Sequence, residues 1–162
     1  PTHIRDRIAE AMRYYDDHME CVFCRMIKEE IESGERIVME SEHFVVFVPY
    51  AAISPFHLLI LPKSHIACFP MINGDEIRDL ARALKNTLAR IYYGLNDADY
   101  NYVIRSLPGQ CRENAFFHWY LSIIPRVTKT AGFELGSGMY INVALPEESA
   151  KFLREVKLPP GA

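Results

Sequence analysis

Two cysteines stand close together in the segment Cys21-Val22-Phe23-Cys24, a spacing typical of metal binding or of thiol redox chemistry. Zinc in proteins takes about four nitrogen or sulfur ligands in a tetrahedron, and a cysteine pair of this kind supplies two thiolates from one turn. Histidines from distant parts of the chain commonly complete such a set. The pair therefore directs attention to histidines that the fold brings near it.

The stretch from Phe116 to Ile124 is rich in apolar residues and predicts a β-strand. Because side chains alternate between the two faces of a strand, His118, Tyr120 and Ser122 are predicted to share one polar face. The residues predicted for the opposite, core face are Phe117, Trp119, Leu121 and Ile123. We expect the polar face of this strand to carry the chemistry.

A second histidine, His65, directly follows a strand-forming run that ends near Leu61. If that strand neighbours the strand of His118, the two imidazoles meet the cysteine pair. Cys21, Cys24, His65 and His118 then form a candidate metal site. From spacing alone, a solvated His65 beside a metal-free cysteine pair is an equally good interpretation.

Helical periodicity marks the elements that would position these side chains. Apolar residues from Ile4 to Tyr15 predict a first helix that ends before Asp16-Asp17. A second helix begins near Phe23 and stops at Gly34, because glycine suits the left-handed conformation that closes a helix.

The clearest amphipathic pattern runs from Ile77 to Ile91 and predicts a long helix, with Asp79 facing water. Asp75 or Gly74 is the expected N-cap of this helix. Pro146-Glu147-Glu148 predicts the start of a last helix, because proline and acidic residues favour the first turn.

Strand-forming runs alternate with these helices. The predicted strands are residues 36–40, 44–48, 57–61, 101–105 and 116–124. The order of elements predicts an α+β class, with helices packed on an antiparallel sheet of about five strands. We expect one domain over residues 1–162, with an N-terminal helix at 1–19, a core at 20–155 and a tail at 156–162.

Composition excludes several classes of partner. The chain has 162 residues, 49% of them hydrophobic, and its net charge of -3 comes from interspersed acids and bases. This balance argues against nucleic acid or a membrane surface as partner. There is no run of ~20 apolar residues and no signal-peptide pattern, so a soluble, cytoplasmic protein is expected. Pro1 implies either a removed methionine or a piece of a longer chain.

Four cysteines in a chain of this size are too few for a disulfide scaffold. Cys68 and Cys111 have no close partner in the sequence. They are therefore interpreted as buried free thiols, because free cysteine behaves as a small apolar residue.

Several motifs occur in a fixed order along most of the chain, from about Tyr14 to Leu153. They are Cys21-x-x-Cys24, Pro55-Phe56, Leu61-Pro62-Lys63-Ser64-His65, Asp99-Tyr100-Asn101-Tyr102, His118-Trp119, Ile123-Ile124-Pro125-Arg126, Ala131-Gly132-Phe133-Glu134 and Gly138-Met139-Tyr140-Ile141-Asn142. As an ordered set they resemble the histidine-triad (HIT) fold, specifically the C-terminal half of galactose-1-phosphate uridylyltransferase-like proteins.

The resemblance implies a HIT-like fold and a metal, because all four metal-ligand positions of zinc-bearing relatives are occupied here. Aligned on Pro125, His118 falls on the first histidine of the His-x-His-x-His signature. The expected cofactor is zinc, although iron also accepts mixed cysteine and histidine ligands. Tyr120 stands where the family carries its nucleophilic histidine, and Ser122 occupies the third position.

A phenol is a poor substitute for that histidine. With a pKa near ~10, about one tyrosine in a thousand is ionised at neutral pH, whereas a useful fraction of imidazole is neutral and able to attack. We therefore expect no covalent catalysis at Tyr120 and no catalytic residue in this chain. In the family, the attacking histidine belongs to the N-terminal half, which this chain does not resemble.

The resemblance directs contacts with a nucleotide or a sugar phosphate to a small set of residues. They are Asn101, Tyr120, Ser122, Arg126 and Lys129.

A homodimer is expected. Two alternatives stay open. One is an active nucleotidyltransferase acting between UDP-glucose or an ADP-sugar and hexose-1-phosphate, with the nucleophile supplied by an N-terminal half, a partner chain or His57. The other is a structural or regulatory homodimer without a small-molecule ligand.

Overall fold

The computed structural model describes residues 2–107 and 114–161. Within these ranges the helices are α1 (Thr2–His18), α2 (Val22–Ser33), α3 (Gly74–Gly94), α4 (Gly132–Ser137) and α5 (Pro146–Glu155), with one 3₁₀ turn at Phe69–Met71. The strands are β1 (Ile37–Glu40), β2 (Phe44–Phe47), β3 (Leu58–Pro62), β4 (Tyr100–Arg105) and β5 (Tyr120–Pro125). The predicted α+β class is confirmed. No helix in these ranges is both long and apolar enough to cross a membrane.

The five strands form one antiparallel sheet in the order β1-β2-β3-β5-β4. The expected sheet of about five antiparallel strands is therefore confirmed. β5 lies between β3 and β4, with Ser122 opposite Leu59 on one side and Val103 on the other. β5 therefore contacts β3 along one edge and β4 along the other.

Each face of the sheet has its own apolar cluster. The cluster beneath α3 and α5 includes Trp119, Leu121 and Ile123, while the cluster beneath α1 and α2 includes Phe117 and Tyr120. The predicted alternation therefore holds from Trp119 onward. It is wrong for Phe117, because β5 begins only at Tyr120 and the preceding segment does not keep the alternation of a strand.

The face that carries Tyr120 is itself buried rather than polar. His118, Tyr120 and Ser122 are each less than 8% exposed. Phe23 of α2 covers this face, with its ring centroid 5.4 Å from that of Phe117 and 5.3 Å from that of Tyr120. Any chemistry on this face takes place under the cover of the two N-terminal helices.

The predicted end of the first helix is wrong, and the predicted end of the second helix is confirmed. α1 continues to His18, past Asp16-Asp17, because both carboxylates lie exposed to solvent and their charge costs the helix little. The following residue, Met19, has a φ of 54° that ends the helix. α2 ends as predicted at Gly34, whose φ of 68° is the left-handed conformation that favours glycine.

The N-cap of α3 is Asn73, and the expectation of Gly74 or Asp75 is wrong. The Asn73 side chain accepts hydrogen bonds from the backbone N–H groups of Asp75 and Glu76, at 2.9 and 3.0 Å. Glu76 in turn accepts from the Asn73 backbone N–H at 2.8 Å. This reciprocal capping box satisfies donors that would otherwise be unpaired at the helix start.

Asp79 of α3 is buried, although its position predicted a water-facing residue. Its carboxylate accepts hydrogen bonds from the Ser41 hydroxyl at 2.7 Å and from the His43 backbone N–H at 2.8 Å. Burial acts to raise the pKa of Asp79, but these two bonds and Arg82 hold it below the usual value. Asp79 thus attaches α3 to the turn between β1 and β2.

Cys68 is buried and disulfide-bonded, so the interpretation of this residue as a free thiol is wrong. A disulfide between distant cysteines leaves no spacing signature in the sequence. Cys111, which was interpreted in the same way, lies outside the described residues.

Candidate functional site

The two cysteines of the candidate metal centre are positioned by the start of α2. Cys21 immediately precedes the helix and Cys24 lies in its first turn. The N-terminus of a helix carries a partial positive charge, which favours the thiolate form of nearby cysteines. The sequence therefore places both sulfurs where ionised sulfur is stabilised.

The fold brings both predicted histidines to these cysteines. His65 follows the end of β3, and His118 lies fully buried just before β5. The Sγ atom of Cys24 is 3.2 Å from Nδ1 of His65 and 3.6 Å from Nδ1 of His118. The four ligand atoms all lie within 4.8 Å of one another.

Hydrogen bonds determine which nitrogen of each imidazole faces the sulfurs. Nε2 of His118 donates to the carbonyl oxygen of Pro62 at 2.8 Å, and Nε2 of His65 donates to that of Asn114 at 2.8 Å. Because a carbonyl oxygen only accepts, each Nε2 carries the proton and each Nδ1 presents its lone pair to the cluster. Metal-binding histidines typically have this arrangement, so the four residues could hold a metal ion.

The two thiols titrate as one unit. The hydrogen bond from Cys24 lowers the pKa of Cys21, and His118 and His65 act in the same direction. The shared proton raises the pKa of Cys24, together with burial. The Cys21 sulfur also raises the pKa of His65. One thiolate is thus stabilised before any cation arrives, and its negative charge favours cation binding.

A cleft of about 660 Å³ opens on the same sheet face as Tyr120. We call it the Tyr120 cleft; its polar lining includes Arg7 of α1, His57, Arg105 of β4, Tyr120 and Ser122. Burial raises the pKa of Tyr120, although the charges of Arg7 and Arg105 act in the opposite direction. The side chain is therefore a neutral phenol at physiological pH.

Two of the arginines that line the Tyr120 cleft already have carboxylate partners. Arg25 is 2.6 Å from Glu29, and Arg36 is 3.0 Å from Glu30. By contrast, neither Arg7 nor Arg105 forms an ion pair within residues 2–107 and 114–161. Their positive charges are available to an anionic ligand.

His57 and Ser122 form a buried pair at the floor of this cleft. Nε2 of His57 lies 2.9 Å from the Ser122 hydroxyl oxygen. Burial, together with the charge of Arg7, lowers the pKa of His57 to about 4. The imidazole is therefore neutral at pH 7.

A second cleft, of about 390 Å³, contains the other predicted binding residues. We call it the Lys129 cleft; its lining includes Asn101, Arg126, Lys129, Glu134 and Tyr140. Ile53 and Ile124 line both clefts. The structure thus distributes the five predicted residues over two adjoining clefts.

Sequence reasoning missed Arg7 and Arg105. Both are surface-type residues, one in α1 and one in β4, and only the folded chain brings them to one cleft. The pair of His57 and Ser122 was also missed, although His57 precedes β3 and Leu59 pairs with Ser122. The pair could have been predicted only from the register of β3 and β5, which places Leu59 opposite Ser122.

The family model described as the galactose-1-phosphate uridyl transferase C-terminal domain matches residues 7–156. The chain belongs to this family. The resemblance inferred from the ordered motifs is therefore confirmed.

Individual relatives of this uridyl transferase family domain agree with the match. The chain is 36% identical over 160 residues to the ADP-glucose phosphorylase of Arabidopsis thaliana, covering 98% of this chain and 44% of that protein. The crystal structure of an Arabidopsis ADP-glucose phosphorylase with bound ADP-glucose matches with a TM-score of 0.87, over 98% of this chain and 50% of the other. The chain spans about half the length of the curated relatives it matches.

A solved structure of a zinc-bound histidine-triad protein from Mycobacterium smegmatis also matches. The TM-score is 0.56 at 25% identity, over 84% of this chain and 91% of the other. The predicted HIT-like fold is therefore confirmed for this uridyl transferase family domain.

Proposed function

We propose that this chain is a zinc-stabilised domain of uridylyltransferase type that binds a nucleotide or a sugar phosphate and lacks its own nucleophilic histidine. One observation carries the proposal. Within three residues, the chain turns from His118 in the cysteine–histidine cluster to Tyr120 in an arginine-lined cleft. The segment thus keeps the metal-ligand chemistry and replaces the chemistry of attack.

Zinc is the metal that fits this donor set best. Two cysteines and two histidines with satisfied outer nitrogens are typical of closed, structural zinc sites. Iron accepts the same ligand types, so elemental analysis of the purified protein decides between them. Cys21, Cys24, His65 and His118 are the proposed ligands.

The absence of a nucleophile is argued from Tyr120. Its phenol is buried and its pKa is raised, so almost none of it is ionised at neutral pH. The second candidate, His57, is buried and engaged with Ser122. Neither group is suited to attack a phosphate, and we assign no catalytic residue to this chain.

The proposed ligand uses both clefts. A phosphate would lie between Arg7 and Arg105 in the Tyr120 cleft, because these guanidinium groups lack carboxylate partners among the described residues. Arg126 and Lys129, with Asn101, would contact a second polar group in the Lys129 cleft. A relative with bound ADP-glucose supports a sugar nucleotide as the first ligand to test.

The domain division at residues 19 and 155, the homodimer and the cytoplasmic location stay predictions. We expect the domain to act beside a second half that supplies the attacking histidine.

The test measures binding and covalent chemistry separately. Isothermal titration of the zinc-loaded chain with ADP-glucose and with UDP-glucose should show binding of at least one of them. Intact-mass spectrometry after the same incubation should show no nucleotidyl adduct. The Tyr120→His variant is the matched comparison, because it restores the histidine at that position alone. An adduct on the unaltered chain would overturn the proposal, and the absence of any binding would favour a structural homodimer.

A second candidate is an active nucleotidyltransferase whose nucleophile comes from elsewhere. It is favoured by the fact that curated relatives are about twice as long as this chain. Mixing this chain with a protein that bears an intact His-x-His segment and labelled UDP-glucose would test it. An adduct that maps to the added protein, together with turnover that requires both chains, is the expected result for this alternative.

A further inference from the structure

A strained turn positions His57. The His57 backbone N–H donates to the carbonyl oxygen of Ser54 at 3.2 Å, with Pro55 and Phe56 between them. Phe56 has a φ of 60°, in the left-handed region that this third turn position normally reserves for glycine. Its ring packs against Phe152, with the centroids 5.4 Å apart. Strain of this kind is commonly retained where a side chain must be placed accurately.

The hydrogen bonds of His57 define its tautomer. The backbone N–H of Ile53 donates to Nδ1 of His57 at 3.4 Å, so Nδ1 carries a lone pair. Because burial keeps the imidazole neutral at pH 7, its one proton lies on Nε2. Nε2 therefore donates to the Ser122 hydroxyl oxygen, 2.9 Å away.

The direction of this hydrogen bond determines whether the Ser122 hydroxyl can still donate. Its oxygen accepts from His57, so the hydroxyl proton remains available, and no other hydrogen bond of this hydroxyl occurs within the described residues. Ser122 lines the Tyr120 cleft on the same side of β5 as Tyr120. The arrangement also excludes His57, in this tautomer, as a base that activates Ser122.

We propose that Ser122 donates a hydrogen bond to a phosphate oxygen of the ligand in the Tyr120 cleft, and that His57 is a positioning residue that orients this hydroxyl. The inference rests on the proposed function and names the group that recognises the phosphate beside Arg7 and Arg105. A buried hydroxyl with a fixed direction discriminates among ligands, because an acceptor that does not meet it leaves a polar group unpaired.

The test is titration of the zinc-loaded full chain with ADP-glucose. Ser122→Ala should weaken binding about tenfold, the loss expected for one hydrogen bond to a charged acceptor. Ser122→Thr, which keeps the hydroxyl, should stay within about threefold of the unaltered chain. His57→Gln places an amide near the position of Nε2 and should likewise bind nearly normally.

The double variant separates positioning from direct contact. His57→Leu should weaken binding about as much as Ser122→Ala. The double variant should bind ADP-glucose about as tightly as either single variant, because His57 acts through Ser122. Unchanged melting temperatures of the Ser122 variants, and nitrogen NMR showing a proton on Nε2 of His57, would confirm that the fold and the tautomer are intact.

The outcomes distinguish this inference from the proposed function. Normal binding by Ser122→Ala, an additive loss in the double variant, or a proton on Nδ1 of His57 would overturn the inference alone. Failure of the unaltered chain to bind ADP-glucose, UDP-glucose or inorganic phosphate would overturn the proposed function and the inference with it.

Discussion

The cysteine–histidine cluster and the Tyr120 cleft share one short segment, from His118 to Tyr120, and differ in the groups that they present. In the cluster, the Nε2–H groups of both histidines donate to backbone carbonyl oxygens, and the Nδ1 lone pairs face the sulfurs. In the cleft, a neutral phenol stands beside two arginines without carboxylate partners among the described residues. Two residues apart, the same segment thus contributes one side chain to a cluster that could hold a metal and another to a cleft that could receive an anion.

The largest expected effect comes from the metal centre. Cys21→Ala removes a buried ligand, so zinc content by elemental analysis should fall to near zero. The melting temperature should drop by about 10 °C or more, because structural zinc contributes several kcal/mol to folding. Tyr120→Phe is the matched control on the cleft side and should keep its zinc, with a stability change below about 1 kcal/mol. Full zinc content in Cys21→Ala would contradict the assignment of this ligand.

Titration of His57 in the Tyr120 cleft should make the free energy of unfolding depend on pH. The folded-state pKa of His57 is about 4, below its ordinary value of 6.5, because burial and Arg7 oppose its charge. The unfolded chain therefore binds the proton first, and stability present above about pH 6.5 is lost as the pH falls toward 4, by up to about 3 kcal/mol.

Urea unfolding of the unaltered chain and of His57→Gln, at a series of pH values, isolates this contribution. The metal ligands titrate in both proteins, so their effect cancels in the difference. We expect the unfolding free energy of the unaltered chain, relative to that of His57→Gln, to fall by up to about 3 kcal/mol as the pH falls from about 7 to about 4. A difference that does not change with pH would show that His57 is not buried in its neutral form.

The smallest effects should distinguish the two clefts. Arg105→Gln removes one of the two arginines that lack a carboxylate partner in the described chain, and the dissociation constant for ADP-glucose should rise about tenfold or more. Lys129→Gln, in the exposed neighbouring cleft, should raise it only about threefold, because solvent screens that charge. Neither change should alter zinc content. An equal loss in both variants would place the phosphate between the clefts rather than in the Tyr120 cleft.

Much of the fold and the metal cluster was predictable because their signals are local or ordered. Gly34 ends α2, as its conformational freedom predicts. The four residues of the cysteine–histidine cluster were predicted from their spacing and from the order of the motifs around them. The misses arise where tertiary contacts override local preference. Asp79 looks like a surface residue in its helix, yet the turn between β1 and β2 supplies donors that make its burial favourable.

The cleft was less predictable for the same reason. Residues such as Arg7 and Arg105 carry no spacing signature, and they meet in one cleft only in the folded chain. The tautomer of His57 depends on a backbone N–H from Ile53, which no pattern of residue types reveals. Alternation along β5 also fails at Phe117, because the chain enters the sheet only at Tyr120.

The cysteine–histidine cluster also has a topological consequence. Its members come from the start of α2, the end of β3 and the segment before β5, so a bound cation would close loops that contain most of the chain between Cys21 and His118. Closing long loops removes conformational entropy from the unfolded chain, as a disulfide does. Helix α1 lies outside those loops. With a cation bound, the two ends of the β3–β5 region would be tied together, whereas α1 would be held only by its packing against the neighbouring apolar cluster.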